Sequence, residues 1–264
     1  MTDQQESSEG TVRHWRDDGV LTIELSNPGR RNALTWTMYE ELFRLFGMIN
    51  DDGQVRVVVL RGADGAFAAG TDIRQFLNFQ TAEDGIEYER WMGRLVTTLL
   101  SVRVPVVGVV EGPAVGGGLM LAASCDVLVA ADNARFGVPI ARTLGNVVPP
   151  AVVLRLRERL GPARTMAMLL TSTLVDAEEA ASAGFVHAVV PAEHLEETAG
   201  DVVGRIARGA PLTLAGIKEI DRRLGAVDTV GVAEDVLAAC YGSQDFAEGV
   251  AAFVERREPQ WKGR

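Results

Sequence analysis

The chain has 264 residues, of which 47% are hydrophobic and 23% are charged, and its formal net charge is −10. This length and composition predict a globular protein that is large enough to bury a full core. The acidic balance argues against a basic face for nucleic acid, so no nucleic-acid partner is expected. The longest apolar runs, such as VPVVGVV, are too short to span a bilayer, so no membrane partner is expected.

The N-terminal segment and the cysteines give two further expectations. Residues 1–10, MTDQQESSEG, are polar and acidic, and they predict a disordered tail rather than a secretory or transit signal. Cys125 and Cys240 lack the spacing of metal ligands, and no metal site is predicted. The apolar context of Cys125 favours a buried, reduced thiol and a cytoplasmic location.

The first half of the chain alternates predicted strands and helices. GVLTIELS and VRVVVLRG predict two strands that flank a helix over TWTMYEELFRLFGMIN, with Thr35 as its N-cap. The turn GADG then leads to a short strand and a helix that begins near Thr71 and Asp72. A longer helix with Tyr88 and Trp91 on its apolar side precedes the strand VPVVGVV, three glycines, a short helix and the strand DVLVAA.

A buried strand, a turn rich in glycine and alanine, and a short helix therefore occur twice, over residues 57–76 and 104–124. This predicts repeated ββα turns around one core. After about Pro149 the strand pattern is nearly confined to GFVHAVV, and the segments 150–182, 192–208, 211–227 and 232–256 predict helices. A soft boundary near residue 200 divides a core over 11–200 from a helical region over 201–264.

The glycine run, Gly116 to Gly118 in EGPAVGGGLMLAASCD, predicts a close approach to the backbone. A backbone amide can donate to a ligand oxygen only where no side chain shields it, and amides at a helix start favour negative charge. The turn GAFAAGTD offers a second set of such amides. Two amides that converge on one carbonyl oxygen would form an oxyanion hole, whereas either turn alone could be a tight loop packed on the sheet.

Four stretches carry a resemblance to a known family: NPGRRNAL, VRVVVLRGADGAFAAGTDI, VPVVGVVEGPAVGGGLMLAASCDVLVAADNARFGVP and DFAEGVAAFVERREPQWKGR. In this order and spacing the chain resembles the crotonase, or enoyl-CoA hydratase/isomerase, superfamily. The resemblance implies an α/β fold, a crotonase-like spiral of ββα turns with a C-terminal helical trimerisation region, assembled as a homotrimer or a dimer of trimers. It also implies an acyl-CoA thioester as partner, with CoA as part of the substrate and no separate cofactor.

The same resemblance assigns roles to residues. The amides of Ala68 and Gly117 look like the oxyanion hole, and the segment from Ala69 to Ile73 looks like part of the adenine pocket. The other residues that the resemblance places at the substrate or CoA are Arg30, Arg31, Ala33, Ala66, Gly70, Asp72, Gly116, Met120, Pro139, Ile140, Leu144, Phe253 and Lys262. By this resemblance Arg30 and Arg31 occupy the loop that runs beside the CoA phosphates and pantetheine; the alternative is that they are ordinary solvated loop residues.

The chain departs from the family pattern where hydratases carry acids. In such hydratases one glutamate stands two residues after the last glycine and another follows the proline of FG-x-P; here these positions hold Met120 and Ile140. A third position, used for an acid by dienoyl isomerases, falls on Val148. Hydration needs a base and an acid, so the sequence favours acyl-CoA binding and enolate stabilisation over water addition.

Other polar residues are weaker candidates. Arg142 and Asn146, in IARTLGN, could orient a substrate from the site wall or belong to a helix-start network. Glu111 is interpreted as a surface or subunit-contact residue. The three histidines lie outside the matched segments and are interpreted as structural or surface residues: His14, His187 and His194.

Several functions stay open at this point. The first is an acyl-CoA enzyme of hydratase or isomerase type with non-standard acid and base groups, or a decarboxylase of malonyl-type thioesters, in which loss of carbon dioxide creates the enolate. The second is an acyl-CoA-binding protein without catalysis. A dinucleotide-binding domain fails because the third fingerprint glycine is replaced by Leu121 and the following helix is too short. A serine hydrolase is disfavoured, since no serine lies in G-x-S-x-G.

Overall fold

The computed structural model describes residues 10–224 and 234–260, so all of the predicted tail except Gly10 lies outside the described residues. The strands are β1 (Thr11–Asp17), β2 (Val20–Ser26), β3 (Val57–Gly62), β4 (Val106–Val110), β5 (Pro113–Val115), β6 (Val127–Ala131), β7 (Arg135–Gly137), β8 (Val175–Asp176) and β9 (Ala188–Val190). The α-helices are α1 (Trp36–Ile49), α2 (Ala82–Leu100), α3 (Gly117–Ser124), α4 (Ile140–Thr143), α5 (Pro150–Leu160), α6 (Pro162–Thr171), α7 (Ala177–Ser182), α8 (Leu195–Ala207), α9 (Pro211–Leu224), α10 (Glu234–Tyr241) and α11 (Gln244–Glu255).

Two sheets organise the chain. The larger has the strand order β1-β2-β3-β4-β6-β9, in which only the pair β1-β2 is antiparallel. The smaller has the order β5-β7-β8. Strand β4 and the first four residues of β3 contain no polar side chain, because both of their faces are buried in apolar clusters, as is usual in parallel sheets. The consecutive units β4-β5-α3 and β6-β7-α4 place their second strands in the smaller sheet, which confirms the predicted α/β architecture of ββα turns.

Strand β1 was not predicted from the sequence. It is an edge strand that is mostly exposed, so its side chains lack the alternating apolar pattern of a half-buried strand. The available signal was the pair Asp18-Gly19, which joins β1 to β2 with φ values of 41° and 78°. An Asp-Gly pair with both φ values positive is the typical two-residue hairpin turn.

The helices predicted within the described residues are found, with differences in where they begin and end. The segment predicted over 232–256, for example, contains the two helices α10 and α11. Thr35 caps α1 as expected, its hydroxyl accepting from the N–H of Met38. The helix expected near Asp72 is a short 3₁₀ helix, Ile73–Asn78, with Asp72 as its N-cap. The helical segment predicted over 150–182 divides into α5, α6 and α7, and Gly161, with φ of 80°, separates the first two.

The boundary predicted near residue 200 lies inside α8. This helix packs on the larger sheet, where Leu195, Ala199 and Val202 contact an apolar cluster that includes Val57 and Val107. The helical region after α8 exposes apolar side chains on α9, and its role in trimer formation stays a prediction. None of the helices in residues 10–224 and 234–260 has both the length and the apolar composition needed to span a bilayer.

A buried asparagine holds the loop between β2 and α1 against the turn after β3. The side-chain oxygen of Asn32 accepts from the N–H of Asn27 at 2.9 Å, and its nitrogen donates to the carbonyls of Ala63 and Ala66 at 2.7 and 2.6 Å. Asn32 is 2% exposed and has a φ of 56°, a conformation that asparagine tolerates better than most residues. This side chain therefore fixes the loop that carries Arg30.

Replacing Asn32 with alanine should destabilise the protein. The variant Asn32→Ala leaves the buried N–H of Asn27 and the carbonyl of Ala66 without their partners, so we expect a loss of about 2 to 4 kcal/mol in the free energy of unfolding. Denaturant unfolding measures this loss. The control Asn78→Ala changes an exposed asparagine and should cost little. Equal stabilities of the two variants would contradict the bracing role of Asn32.

Candidate functional site

The two turns rich in glycine and alanine lie against each other. The N–H of Phe67 donates to the carbonyl oxygen of Glu111 at 2.7 Å, and the N–H of Ala68 donates to that of Pro113 at 2.9 Å. The N–H of Val115 returns a bond to the carbonyl oxygen of Ala68 at 3.0 Å. These three bonds join the turn after β3 to β5, immediately before the glycine run.

Close packing explains two of the three glycines. A Cβ on Gly118 would lie 2.2 Å from the carbonyl oxygen of Ala68, so α3 could not approach the neighbouring turn with any larger residue there. A Cβ on Gly117 would lie 2.2 Å from the hydroxyl oxygen of Tyr39 and 3.2 Å from Oγ1 of Thr71. Gly116, the N-cap of α3, has a φ of 52°. The run thus brings the start of α3 into contact with the segment around Thr71.

One predicted donor is not available. The N–H of Ala68 is occupied by Pro113, and Ala68 is fully buried and does not line the cavity described below. The prediction that Ala68 supplies an oxyanion-hole amide therefore does not fit the structure. The sequence could not show this, because it does not reveal which amide of the turn the β5 pairing consumes.

Two other amides are free at this place. Thr71 forms a parallel bridge with Leu34, in which the bonds run from the N–H of Leu34 to Gly70 and from the N–H of Asp72 to Leu34. This pattern leaves the N–H of Thr71 itself unused. Gly117 is the first residue of α3, so its N–H has no partner within the helix. Within residues 10–224 and 234–260, neither amide has a hydrogen-bond acceptor.

Thr71 and Gly117 both line a cavity of about 380 Å³. The structure brings most of the predicted site residues to its wall: Arg30, Ala33, Ala69, Gly70, Asp72, Ile73, Gly116, Gly117, Met120, Pro139, Ile140, Leu144, Asn146 and Phe253. Val148 also lines it. The three positions at which acids were absent from the sequence pattern therefore form an apolar part of this wall.

Three further predicted residues do not line the cavity. Arg31 is exposed and contributes its backbone, since its carbonyl accepts from the N–H of Ala69 at 2.9 Å. Ala66 is buried beneath the wall, where its carbonyl accepts from Asn32. Arg142 is exposed on the side of α4 away from the lining residues of that helix. Lys262 lies outside the described residues.

The charged groups expected near CoA are arranged at one part of the wall. Arg30 is exposed and lines the cavity. Asp72 is buried and accepts hydrogen bonds from Arg74, including one of 2.9 Å from Nε. These bonds from Arg74 hold the pKa of Asp72 below its ordinary value. Asp72 is therefore an ionised, already paired carboxylate.

A second acidic residue on the wall, Glu89, was missed by the sequence analysis. It lies on α2, is 5% exposed and takes part in none of the ion pairs found in the described part of the chain. Burial raises the pKa of Glu89 from 4.5 to about 8, and the hydrogen bond from Tyr241 partly offsets this effect. Glu89 is therefore mostly protonated at neutral pH.

Glu89 belongs to a short chain of hydrogen bonds. The hydroxyl of Tyr241, on α10, donates to Oε1 of Glu89, and Nδ2 of Asn146 donates to the Tyr241 hydroxyl at 3.1 Å. Tyr241 reaches this position because Gly85, one turn earlier on α2, has no side chain; a Cβ there would lie 1.9 Å from the Tyr241 ring. Oδ1 of Asn146 is buried without a partner in the described residues.

A hydroxyl network connects α2 with the free amides. Tyr39 and Tyr88 both hydrogen-bond to Oγ1 of Thr71, at 2.8 and 3.1 Å. Burial raises the pKa of Tyr39 and of Tyr88 above the ordinary value, so both side chains stay neutral at physiological pH. Since Tyr88 precedes Glu89 in the helix, this network places the Glu89 turn of α2 beside Thr71.

The remaining candidate residues lie elsewhere. His14, His187 and His194 are exposed and do not line the cavity. Glu111 is partly exposed and is also outside the lining. Cys125 is a buried free thiol, as predicted, and burial raises its pKa to about 12. Among the residues described, no cluster of three His, Cys, Asp or Glu side chains could hold a metal ion.

Neutralising Glu89 should change how stability depends on pH. Between pH 4.5 and about 8 the unfolded chain releases the Glu89 proton while the folded chain keeps it, so the free energy of unfolding falls as pH rises. Glu89→Gln removes this loss. We expect the free energy of unfolding of the variant, measured relative to that of the unaltered protein, to rise by on the order of 3 kcal/mol from pH 5 to pH 8.

Denaturant unfolding at both pH values measures this gain. Glu87→Gln, at an exposed position of the same helix, is the matched control and should show no such change with pH. A difference between the Glu89 variant and the unaltered protein that is the same at pH 5 and pH 8 would show that Glu89 titrates alike in the folded and unfolded chains.

The chain is similar to known proteins over most of its length. The sequence profile of the family described as Enoyl-CoA hydratase/isomerase matches residues 16–264. A carnitinyl-CoA dehydratase of Proteus mirabilis is 34% identical, over 93% of this chain and 95% of its own. The structure of an enoyl-CoA hydratase/carnithine racemase from Magnetospirillum magneticum has 34% identity and a TM-score of 0.79, covering 97% of each chain. Methylmalonyl-CoA decarboxylase in complex with 2-nitronate-propionyl-CoA has 26% identity and a TM-score of 0.85, covering 96% of this chain and 98% of that one. The chain belongs to the enoyl-CoA hydratase/isomerase family.

Proposed function

We propose that this protein is an acyl-CoA enzyme that binds the thioester in the cavity and stabilises its enolate with the backbone amides of Thr71 and Gly117. The observation that carries the proposal is the pair of unused amides on adjacent segments of an otherwise mainly apolar wall. Donors fixed in place before the reaction lose little free energy to reorganisation when charge develops on the carbonyl oxygen. Each is typically worth ~3 to 4 kcal/mol in the transition state.

The rest of the wall suits the two halves of such a ligand. Arg30, beside the paired Asp72 and Arg74, supplies a local positive charge for CoA phosphate on a chain with a net charge of −10. Met92, Met120 and Val152 offer apolar surface for an acyl chain. The names of the relatives support an acyl-CoA ligand, since each refers to a CoA thioester.

Addition of water is disfavoured at this wall. Met120, Ile140 and Val148 cannot take up or release a proton, so they cannot activate a water molecule, and Met120 is buried. A hydratase needs such groups to activate water and to protonate the α-carbon. The proposed activity is therefore chemistry of the enolate itself, in which no water is added.

Loss of carbon dioxide from a malonyl-type thioester is a second candidate. The likeness to methylmalonyl-CoA decarboxylase, at a TM-score of 0.85, favours it. Decarboxylation creates the enolate directly, and an apolar wall weakens the solvation of the substrate carboxylate that is lost. Release of carbon dioxide from methylmalonyl-CoA or malonyl-CoA distinguishes this activity from proton transfer on a simple acyl chain.

Polarisation of the carbonyl can be measured without knowing the reaction. Butanoyl-CoA labelled with ¹³C at the carbonyl should show a C=O stretching band that moves to lower wavenumber when the thioester binds, because hydrogen bonds weaken the double bond. In Gly117→Ala the added methyl group meets the Tyr39 hydroxyl and displaces the amide, so the shift should largely disappear. Any turnover should fall by ~100-fold or more.

Gly93→Ala provides the control for this experiment. A Cβ on Gly93, in α2, meets no atom within 4 Å, so this variant should keep both the shift and the affinity. A bound thioester whose carbonyl band does not move in the unaltered protein would rule out the proposed oxyanion hole. Binding with polarisation but without turnover of any thioester would instead favour the acyl-CoA-binding alternative.

Restoring the missing acids tests the reason for disfavouring hydration. We expect the double variant Met120→Glu with Ile140→Glu to add water to 2-butenoyl-CoA, since it supplies a carboxylate at each position that the family uses. Each single variant should lack this activity, because one group cannot both orient and activate the water as the pair does. Conversion to 3-hydroxybutanoyl-CoA is measured by mass spectrometry. Hydration by the unaltered protein would contradict the proposal.

A further inference from the structure

Glu89 is a buried carboxyl group that the proposed oxyanion hole does not use. It lines the cavity together with Tyr88 and with Met92, three residues further along α2, so this face of the helix borders the cavity. Carboxyl groups are rarely buried without a cation partner, because loss of water penalises the charged form. In the part of the chain that the structure describes, the carboxyl group of Glu89 accepts one hydrogen bond, from Tyr241, in place of that hydration.

We propose that Glu89 is the residue that moves a proton to and from the acyl chain, with Tyr241 and Asn146 as positioning residues. This inference rests on the proposed function, because the substrate carbonyl must be held by Thr71 and Gly117. It places the proton-transfer group on α2, whereas the positions on and after α3 that carry acids in hydratases hold Met120 and Ile140.

The chemical step balances without any further reactant. The carboxylate of Glu89 takes a proton from the α-carbon, and the electron pair of the broken C–H bond forms the enolate, whose charge moves to the oxygen held by the two amides. The carboxyl group of Glu89 then returns a proton to the α-carbon, or to the γ-carbon of an unsaturated chain. The second outcome moves a double bond and is an isomerisation.

The surroundings of Glu89 suit this task. A carboxylate is a stronger base when its pKa lies nearer neutrality, and burial raises that of Glu89 to about 8. The titratable groups packed near it are Tyr88 on the same helix, Tyr39 on α1 and Tyr241 on α10. Burial raises the pKa of all three hydroxyl groups, so Glu89 titrates while they stay neutral.

Asn146 completes the arrangement. Its Nδ2 donates to the Tyr241 hydroxyl, which commits that hydroxyl to donate its own proton to Glu89. Because Tyr241 donates to Oε1, the second carboxyl oxygen of Glu89 bonds to neither Tyr241 nor Asn146. Asn146 itself lines the cavity, and its Oδ1 is buried without a partner in the described residues. These hydrogen bonds thus orient a carboxyl group at a cavity whose other walls are mainly apolar.

Exchange of carbon-bound hydrogen tests the proposal. But-3-enoyl-CoA, whose α-protons are activated by both the carbonyl and the alkene, is incubated with the protein in D₂O, and deuterium in the acyl chain is measured by mass spectrometry. We expect uptake by the unaltered protein, at a rate that rises with pH up to about 8 as Glu89 ionises. Glu89→Gln, which can still accept the bond from Tyr241, should lose at least ~100-fold in rate while it still binds the thioester.

A second variant separates a catalytic role from a structural one. The hydrogen bond from Tyr241 stabilises the carboxylate, so Tyr241→Phe should move the midpoint of the pH–rate profile to higher pH. Glu87→Gln should leave both rate and profile unchanged. If Glu89 had a purely structural role, Tyr241→Phe would lower the free energy of unfolding without moving this midpoint.

The outcomes distinguish this proposal from the function on which it rests. If the carbonyl band of bound butanoyl-CoA shifts but Glu89→Gln exchanges deuterium at the unaltered rate, Glu89 is not the proton-transfer group and the oxyanion hole stands. Carbonyl polarisation without any deuterium uptake by the unaltered protein overturns the Glu89 proposal alone. A carbonyl band that does not shift overturns the proposed function.

Discussion

The site depends on a short backbone pairing between two turns. The bonds that Ala68 makes with Pro113 and Val115 hold the turn after β3 beside β5, and Gly118 allows α3 to begin directly against that turn. The pairing uses the amide of Ala68, while the bridge between Leu34 and Thr71 leaves the amide of Thr71 free at the cavity, next to the free amide of Gly117. Because both donors are backbone groups, their positions follow from the fold and need no polar side chain.

Apolar and polar side chains line different parts of the cavity. The part of the wall near α3 and α4 is apolar, while α2 and α10 bring a carboxyl group, a phenol and an amide together in a low-dielectric environment. Burial of Glu89 destabilises the folded chain as pH rises. Groups with strongly shifted pKa values tend to be found at functional sites, where such a cost in stability has a use. In the proposed mechanism the same burial makes Glu89 a base strong enough to act on a C–H bond beside a polarised carbonyl.

Much of this fold could be predicted from the sequence, because buried parallel strands are continuous apolar runs and the glycine-rich turns recur in a fixed order. The choice between Ala68 and Thr71 could not be predicted, since it depends on two isolated bridges, Ala68 with Ala114 and Leu34 with Thr71, whose registers the sequence does not encode locally. Glu89 was missed for a different reason. Within YERW it resembles an exposed residue of an amphipathic helix, and its burial arises from Tyr241, 152 residues later in the chain. The edge strand β1 was not predicted because its side chains are mostly exposed and therefore lack the alternation of apolar and polar residues.

The proposed mechanism requires that two backbone amides hold the thioester carbonyl. A crystal structure of the protein with butanoyl-CoA tests it most directly, because this saturated thioester cannot add water or move a double bond. We expect a carbonyl oxygen within about 3.2 Å of the backbone nitrogens of both Thr71 and Gly117. A thioester bound in the cavity with its carbonyl oxygen directed to other groups, and with these two amides unpaired, would contradict it.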